Sequence, residues 1–506
     1  MTGLDFHLPA LQVVVPLLIA PVVFLLRPRG LAWAAAFATS LLAFCIAIAL
    51  TGGVLSGQEY QYALGGWESP YGIGLRVDAF SALMLLVLTG ASALALLAAR
   101  NSVDSEIEAH RQPMFYSAWL LVLAGLAGIV VAADAFNIFV FMEISSLASY
   151  VLVAGGPDRR ALPAVFKYLM MGTIGATFYL IGVGLIYMMT GTLNLADMEL
   201  RIHEVADQKP ILVAAGFITV GLALKAAVFP LHVWLPNAYT YAPNVVTVFL
   251  AACATKVALY VLIRFDYFVF QQNLLGHEFQ FAAFLMPLAI MAILVGSAVA
   301  LFETNIKRLL AYSSVAQIGY ILMGASMVSM LGLTAGVMHL FNHALAKGAL
   351  FLAVACLAMR LGQVDLKDLA GVSRRMPWTM AALVVGGLSL IGVPGTAGFI
   401  SKWYLISAAL NEGALGLVLI ATIVAGSLMA VVYIWRIVEA AVFRAPGDLQ
   451  ASEVRASEVQ AFGEAPLMML GATWLAAGAN IYFGLFPAAP LALATAAAKS
   501  LLGHLQ

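Results

Sequence analysis

Apolar runs long enough to cross a bilayer follow one another along almost the whole chain, and no other feature narrows the fold as far. A helix of about twenty residues crosses the hydrocarbon core, and by that measure the sequence holds about fourteen spans. They lie near 8–26, 31–51, 78–99, 114–132, 135–154, 164–190, 211–230, 243–264, 282–302, 308–328, 332–359, 378–408, 414–443 and 466–487. Only 10% of residues are charged and 63% are hydrophobic, against about 25% charged in soluble proteins. So few charges cannot cover a globule of 506 residues. The expected fold is an all-α, polytopic membrane protein.

Composition also excludes several functions. Net charge is zero, which argues against a nucleic-acid partner. Cys45, Cys253 and Cys356 lie far apart in apolar runs and offer no CxxC frame, so they read as core thiols. No GxGxxG after a strand and no phosphate-binding loop is present, so nucleotide binding has no support. No cofactor is expected. The first apolar run lacks a basic flank and a small-residue cleavage site, and reads as a retained span.

Two segments break the pattern. In Leu222–Pro243, LALKAAVFPLHVWLPNAYTYAP, Lys225 precedes Pro230 and Pro236, with His232 and Trp234 between them. Proline removes a helical hydrogen bond, and at membrane depth such a break survives only when buried in protein or lining a wet cavity. A mid-bilayer lysine costs at least ~2.5 kcal/mol. Together they point to an ion or proton path; the bland alternative is a lysine that snorkels to the headgroups. In the second half, GVPGTAGFISKWYL places Pro394, Gly395 and Gly398 just before Lys402. One interrupted segment in each half is the mark of an inverted-repeat transporter, with its site near the midplane. The expected breaks fall in spans seven and twelve. The expected division is 1–110 for three N-terminal helices, 111–265 and 266–445 for two five-helix repeats, and 446–506 for a polar connector and last helix.

Further charges sit inside apolar runs. Glu143 lies in FNIFVFMEISSLASYVLV and needs a partner, for which Lys225 is the natural candidate. Lys256 is mid-span in AACATKVALYVLI. His339, His343 and Lys347 recur at i, i+4 and i+8, which sets them on one helical face. Imidazole exchanges protons near neutrality, and lysine does so when an apolar setting lowers its pKa. Glu143, Lys225, Lys256, His339, His343, Lys347 and Lys402 therefore form a candidate proton relay. About 4 kcal/mol of Coulomb energy at 4 Å and intermediate dielectric is enough to switch a lysine's state as the Glu143 pairing weakens. Each has a bland alternative. The histidine pair could bind a metal, but no third ligand or HExxH glutamate is visible, so no metal is expected. Lys347 could bond backbone carbonyls, and His232 could cap the broken helix. Asp78 and Asp134 read as solvated span ends, Lys307 and Arg308 as topology signals, and Trp234, Tyr239 and Tyr241 as interface anchors.

Arg27, Arg100, Arg111, Arg159, Lys307, Arg374 and Arg444 follow odd-numbered spans, whereas Arg76, Arg201, Lys209 and Arg264 follow even-numbered ones. By the positive-inside rule the odd-numbered loops are cytoplasmic.

With these residues assembled, the chain resembles the antiporter-like subunit family shared by respiratory complex I and Mrp-type multisubunit cation/proton antiporters. The likeness covers about 65–445. It rests on MEISSLASY, LKAAVFPLHVWLP, ATKVALYVLIRF, NIKRLLAYSSVAQIGY, HLFNHALAKGALF and GVPGTAGFISKW. It implies fourteen core helices with the seventh and twelfth broken, and a proton path through Glu143, Lys225, Lys256 and Lys402. Within the family, the GGWESPYGIGLRVD loop and compact length are similar to the D-type component of Mrp antiporters. One departure is NVVTVFLAA after Pro243, where many relatives carry a serine-rich stretch; the cation is left open by it.

The resemblance implies a non-enzymatic subunit of a hetero-oligomer in the cell's inner (plasma) membrane, moving H+ and Na+ or another monovalent cation. The alternative is a non-catalytic proton-pumping subunit of a complex I-type oxidoreductase or membrane-bound hydrogenase. A purely structural scaffold is the third reading, disfavoured by the cost of the buried charges.

Overall fold

A computed structural model describes residues 3–206, 208–270, 281–362, 364–444 and 463–503. It is a helical bundle. The long helices are α1 (Leu4–Leu25), α2 (Arg29–Leu55), α3 (Ala79–Glu106), α4 (Gln112–Val131), α5 (Ala135–Ala154) and α6 (Ala161–Thr190). A short α7 (Leu195–Ile202) leads to α8 (Lys209–Ala226), α9 (Leu235–Tyr241) and α10 (Asn244–Arg264). Then follow α11 (Phe281–Phe302), α12 (Ile306–Ser326), α13 (Met330–Leu361) and a one-turn α14 (Val372–Arg375). The last are α15 (Pro377–Ile391), α16 (Ala397–Ala409), α17 (Gly413–Val442), α18 (Leu467–Leu485) and α19 (Ala488–Leu502). Thirteen helices among the described residues are long and apolar enough to cross a membrane.

Both expected breaks are present. The seventh span is α8 followed by α9, and the twelfth is α15 followed by α16. Three features differ from the sequence reading. The loop before α3 holds a two-stranded antiparallel hairpin, β1 (Tyr60–Ala63) with β2 (Gly74–Val77), Tyr60 facing Val77. The last apolar segment continues into α19, which packs on α3 and α13. Cys45 is exposed on α2, not a core thiol, while Cys253 and Cys356 are buried. Most of the expected polar connector, 445–462, lies outside the described residues.

Polar caps start the helices where the chain leaves each face. Asp78 accepts the Ser81 N–H at 2.9 Å, Asp134 the Asn137 N–H at 2.8 Å and Asn305 the Arg308 N–H at 3.2 Å, satisfying donors that a first turn otherwise leaves orphaned. Alternate loops share a face, as the arginine and lysine bias requires. On one face Leu75 bridges Ala132 and Asp134 bridges Asn194. On the other, Glu106 accepts the Asn244 N–H at 2.8 Å, and Asn305 donates to Asp365 at 2.9 Å.

The centre is α10, α12 and α13. Nearly every residue of α10 and α12 is buried, and α13 packs against α3, α10, α12, α15, α16, α18 and α19. A helix that is apolar all round belongs in such a core, so the polar residues within these three meet protein rather than bulk solvent.

Candidate functional site

The first break follows directly from its residues. Ala227 ends α8 in the left-handed region at φ 56°, and the prolines prevent resumption until Leu235. The carbonyls freed at the end of α8 are taken up locally. Val228 N–H donates to Ala223 O at 2.9 Å, and the Trp234 indole donates to Leu224 O at 3.0 Å while its ring stacks on Tyr168 at 4.3 Å. Close approach of α6 to α8 sets the position of Lys225. A Cβ on Gly175 would meet the Gly221 carbonyl at 2.8 Å, so only glycine lets the two backbones come this near.

From there Lys225 reaches α5. Its Nζ donates to Ser146 Oγ at 2.6 Å and to Glu143 Oε1 at 3.4 Å. The lysine side chain is 9% exposed and the glutamate 28%. A cavity of about 40 Å³ lies beside them, bordered by Ser149, Tyr168 and Val257, room for about two or three waters.

The second break is built differently. Gly392 and Gly395 have φ of 91° and 86°, values that glycine alone adopts without strain. Lys402, on α16, turns back onto the break: Nζ donates to Leu390 O at 3.1 Å, Ile391 O at 2.9 Å and Ser427 Oγ at 2.9 Å. Its ammonium also sits 4.8 Å from the centre of the Tyr320 ring, a favourable cation–π geometry.

Between the breaks, α13 presents His339, His343 and Lys347 on one buried face. His339 Nδ1 is 2.8 Å from Ser401 Oγ and Nε2 is 2.9 Å from Gln317 Oε1. The two imidazoles stack with centroids 6.3 Å apart. Neither ring nitrogen of His343 has a hydrogen-bond partner among the described residues. Lys347 donates to Leu310 O at 2.6 Å and Ser313 Oγ at 2.5 Å. Lys256 is fully buried on α10, donates to Ala251 O, and lies within electrostatic reach of His343 and Lys347.

The structure thus brings together Glu143 with Lys225, His339 with His343, and Lys402 with Tyr320, a neighbour of His339. Among the described residues it places no direct bond between Lys225 and Lys256, or between Lys256 and α13. Both imidazole nitrogens of His343 are buried. Among the described residues no group of three potential metal ligands occurs.

Several residues differ from the sequence reading. Asp78 is no solvated span end: it is 4% exposed and accepts both arms of Arg264 at 2.9 Å. Burial alone would raise its carboxyl, but the Arg264 guanidinium and the Ser81 N–H hold it well below the ordinary range. Asp134 is half-buried, and burial pushes its carboxyl up in spite of the capping bonds. Trp234 and Tyr239 are buried in the core rather than at the interface, because the broken helix folds inward. Lys307 is buried as well and donates to Ala242 O at 2.9 Å. The His232 ring lies against Phe229 and Tyr312 and within hydrogen-bond reach of the Pro230 backbone at the break. Sequence reasoning missed Ser146, Gln317, Tyr320, Ser401 and Ser427. The serines of MEISS and FISKW stand next to the chosen charges, a usable signal; the other three come from distant helices.

Known proteins resemble this chain over most of its length. Residues 132–429 match the family described as NADH:quinone oxidoreductase/Mrp antiporter, transmembrane. NADH-quinone oxidoreductase subunit N of Desulforudis audaxviator is 40% identical over 86% of each chain. The D-type component of a Na(+)/H(+) antiporter from Alkalihalophilus pseudofirmus is 32% identical over 69% of this chain and 70% of its own. Among solved structures, a chain of the Mrp complex from Dietzia sp. superposes with TM-score 0.88 at 27% identity, covering 99% of this chain and 98% of that one. A chain of the membrane-bound sulfane sulfur reductase, an archaeal respiratory membrane complex, gives 0.89 at 31% identity, covering 98% of each. The chain is an antiporter-like subunit, a multi-pass membrane protein that belongs to the NADH:quinone oxidoreductase/Mrp antiporter transmembrane family.

Proposed function

We propose that this chain is the proton-translocating subunit of a multisubunit monovalent cation/proton antiporter of Mrp type, with Na+ as the exchanged cation. One observation carries the reading: a nearly buried lysine at a helix break, paired at 3.4 Å with an intramembrane carboxylate. Such a pair is retained at a cost that a scaffold has no reason to bear. Glu143 holds Lys225 protonated. When the pair loosens, Lys225 gives up its proton inward toward Lys256, His343, His339 and Lys347, and Lys402 is the last group before the opposite face. Residues 111–265 and 266–445 act as two five-helix units, each with its break in the fourth helix. The arginine- and lysine-rich face is cytoplasmic, and the membrane is the plasma membrane. Partner subunits complete the assembly; Glu143, 28% exposed on a helix that also exposes the apolar Phe136, Leu147 and Val151, fits an interface with one of them.

A second reading is favoured by the 40% identity to an oxidoreductase subunit N: a proton-pumping, non-catalytic subunit of a redox-driven complex. Proteins that co-purify with the chain separate the two, small antiporter subunits in one case and flavin or iron–sulfur subunits in the other. For the relay itself the test is Lys225→Ala in the assembled complex, with cation-driven proton movement followed in everted vesicles. Unchanged transport at normal expression defeats the reading.

A further inference from the structure

We infer that the apolar cleft between α2 and α18 is a binding site for one acyl chain of a membrane phospholipid, seated behind the helix that carries the buried histidines. The site needs only the membrane-spanning fold and does not depend on the relay proposed above. The cleft has a volume of about 220 Å³. Its floor is α13, with Phe341, Leu345 and Gly348; its walls hold Phe44 of α2, Gly90 of α3 and Phe483 of α18. Every residue that lines it is apolar. α2 and α18 each pack on α3, and the cleft is the gap left between them. Phe44, Gly90, Leu345, Gly348 and Phe483 are half-buried, so it opens on the outer surface of the bundle, whereas Val87 and Leu352 behind them are buried.

Depth identifies the occupant. Phe44, Gly90 and Gly348 stand well inside helices of 27, 28 and 32 residues, so the cleft opens near the bilayer midplane, where the surrounding medium is hydrocarbon. Water gains nothing there, because a cavity without polar groups stays dry. Left empty, the cleft would deprive its lining of the van der Waals contacts that hold a core together. A methylene takes about the room of a water, ~30 Å³, so roughly seven fit, the far half of an ordinary acyl chain. A helix from another subunit is too thick: one turn, about 10 Å across and 5.4 Å long, needs roughly twice the volume.

Gly348 is the second sign. A helix interior disfavours glycine, yet a Cβ added at Gly348 would meet nothing within 4 Å. Unlike Gly175, this glycine does not let a neighbouring backbone come close; it leaves room. Gly90 on the wall differs, since its Cβ would meet the Phe44 ring at 3.1 Å. Phe341 and Phe483, edge to face at 5.1 Å, join the floor to the α18 wall. Around α13 the floor lies roughly opposite His339, His343 and Lys347. A seated chain therefore packs behind that helix and touches none of those polar groups.

The test uses the assembled complex in phosphatidylethanolamine vesicles doped with the same lipid bearing a diazirine at the end of one acyl chain. After irradiation the labelled peptides are quantified. A seated chain labels the recessed stretches 86–94 and 341–352. Gly348→Phe fills the cleft and should cut that label by about tenfold, while Leu41, Leu42 and Ile48, exposed on α2, keep theirs. Transient contact with bulk lipid predicts recessed label that Gly348→Phe leaves unchanged. A partner subunit's side chain in the cleft predicts no recessed label in the wild type. Either result overturns the site. If Gly348→Phe does not assemble, Ala479→Phe, from the α18 wall, decides by the same readings. Lys225→Ala should label as the wild type does, so failure of the relay and failure of this site are told apart.

Discussion

The two helix breaks carry one lysine each, yet they hold it in different ways. At the first, the freed carbonyl of Leu224 goes to the Trp234 indole, and Lys225 is sent across to a carboxylate and a serine. At the second, the freed carbonyls of Leu390 and Ile391 themselves take Lys402, with Ser427 and the Tyr320 face, and among the described residues no carboxylate forms a salt bridge with it. An ion pair in a low-dielectric setting is worth several kcal/mol, whereas a carbonyl bond to a charged group is worth roughly 1.5–3. The first lysine is therefore held by a titratable carboxylate and a serine, the second by backbone carbonyls and a serine that carry no charge. In the proposed relay the first site is accordingly the switch and the second hands protons on, since only the first is held by a group that can itself take up a proton.

The largest expected effect tests that switch. Lys225→Ala should reduce transport about a hundredfold or more, since it removes both charge and proton carrier; proton movement in everted vesicles measures it. Glu143→Gln keeps the lysine but removes its counter-charge, and should cost about tenfold or more, from several kcal/mol of lost Coulomb energy. Glu143→Gln at full rate would put the two breaks on the same footing. Asp78→Asn is a control outside both breaks. It leaves the buried Arg264 uncompensated, at about 3–5 kcal/mol of stability, seen as a lower thermal unfolding midpoint. Trp234→Phe leaves the Leu224 carbonyl with only its 3.3 Å bond from the Ala227 N–H and should destabilise the first break by roughly 1 kcal/mol, read as faster amide exchange at Ala227–Leu231 and no change at Gly392–Thr396. The smallest pair is Ser146→Ala against Ser427→Ala. The serine at Lys402 should matter more, by about 1 kcal/mol, because no carboxylate compensates there; equal transport rates would break the contrast.

Much of this is legible in the residues. Three positions at i, i+4 and i+8 put His339, His343 and Lys347 on one face without any knowledge of neighbours, because a helix has a fixed period. The prolines after Lys225 and the glycines before Lys402 mark the breaks, because neither residue type sustains a helix there. Asp78 escapes such reading because its partner is 186 positions away, and nothing local tells a capping carboxylate from a buried ion pair. Lys307 looks like a topology signal because it stands at a span end, next to an arginine; only the way α9 folds over it buries it.

What the sequence determined by itself was the medium and the economy of charge. Apolar runs of bilayer length dictate a membrane bundle, and a small set of ionisable residues has to be kept inside it at a cost. What the tertiary structure decided was which group answers each charge: Ser146 for Lys225, Leu390 and Ile391 for Lys402, Ser313 for Lys347. The physical reason is that an interaction in a low dielectric depends on distances of a few ångströms between segments far apart in the chain. Such distances are set by how helices pack, and no local pattern of residues encodes them.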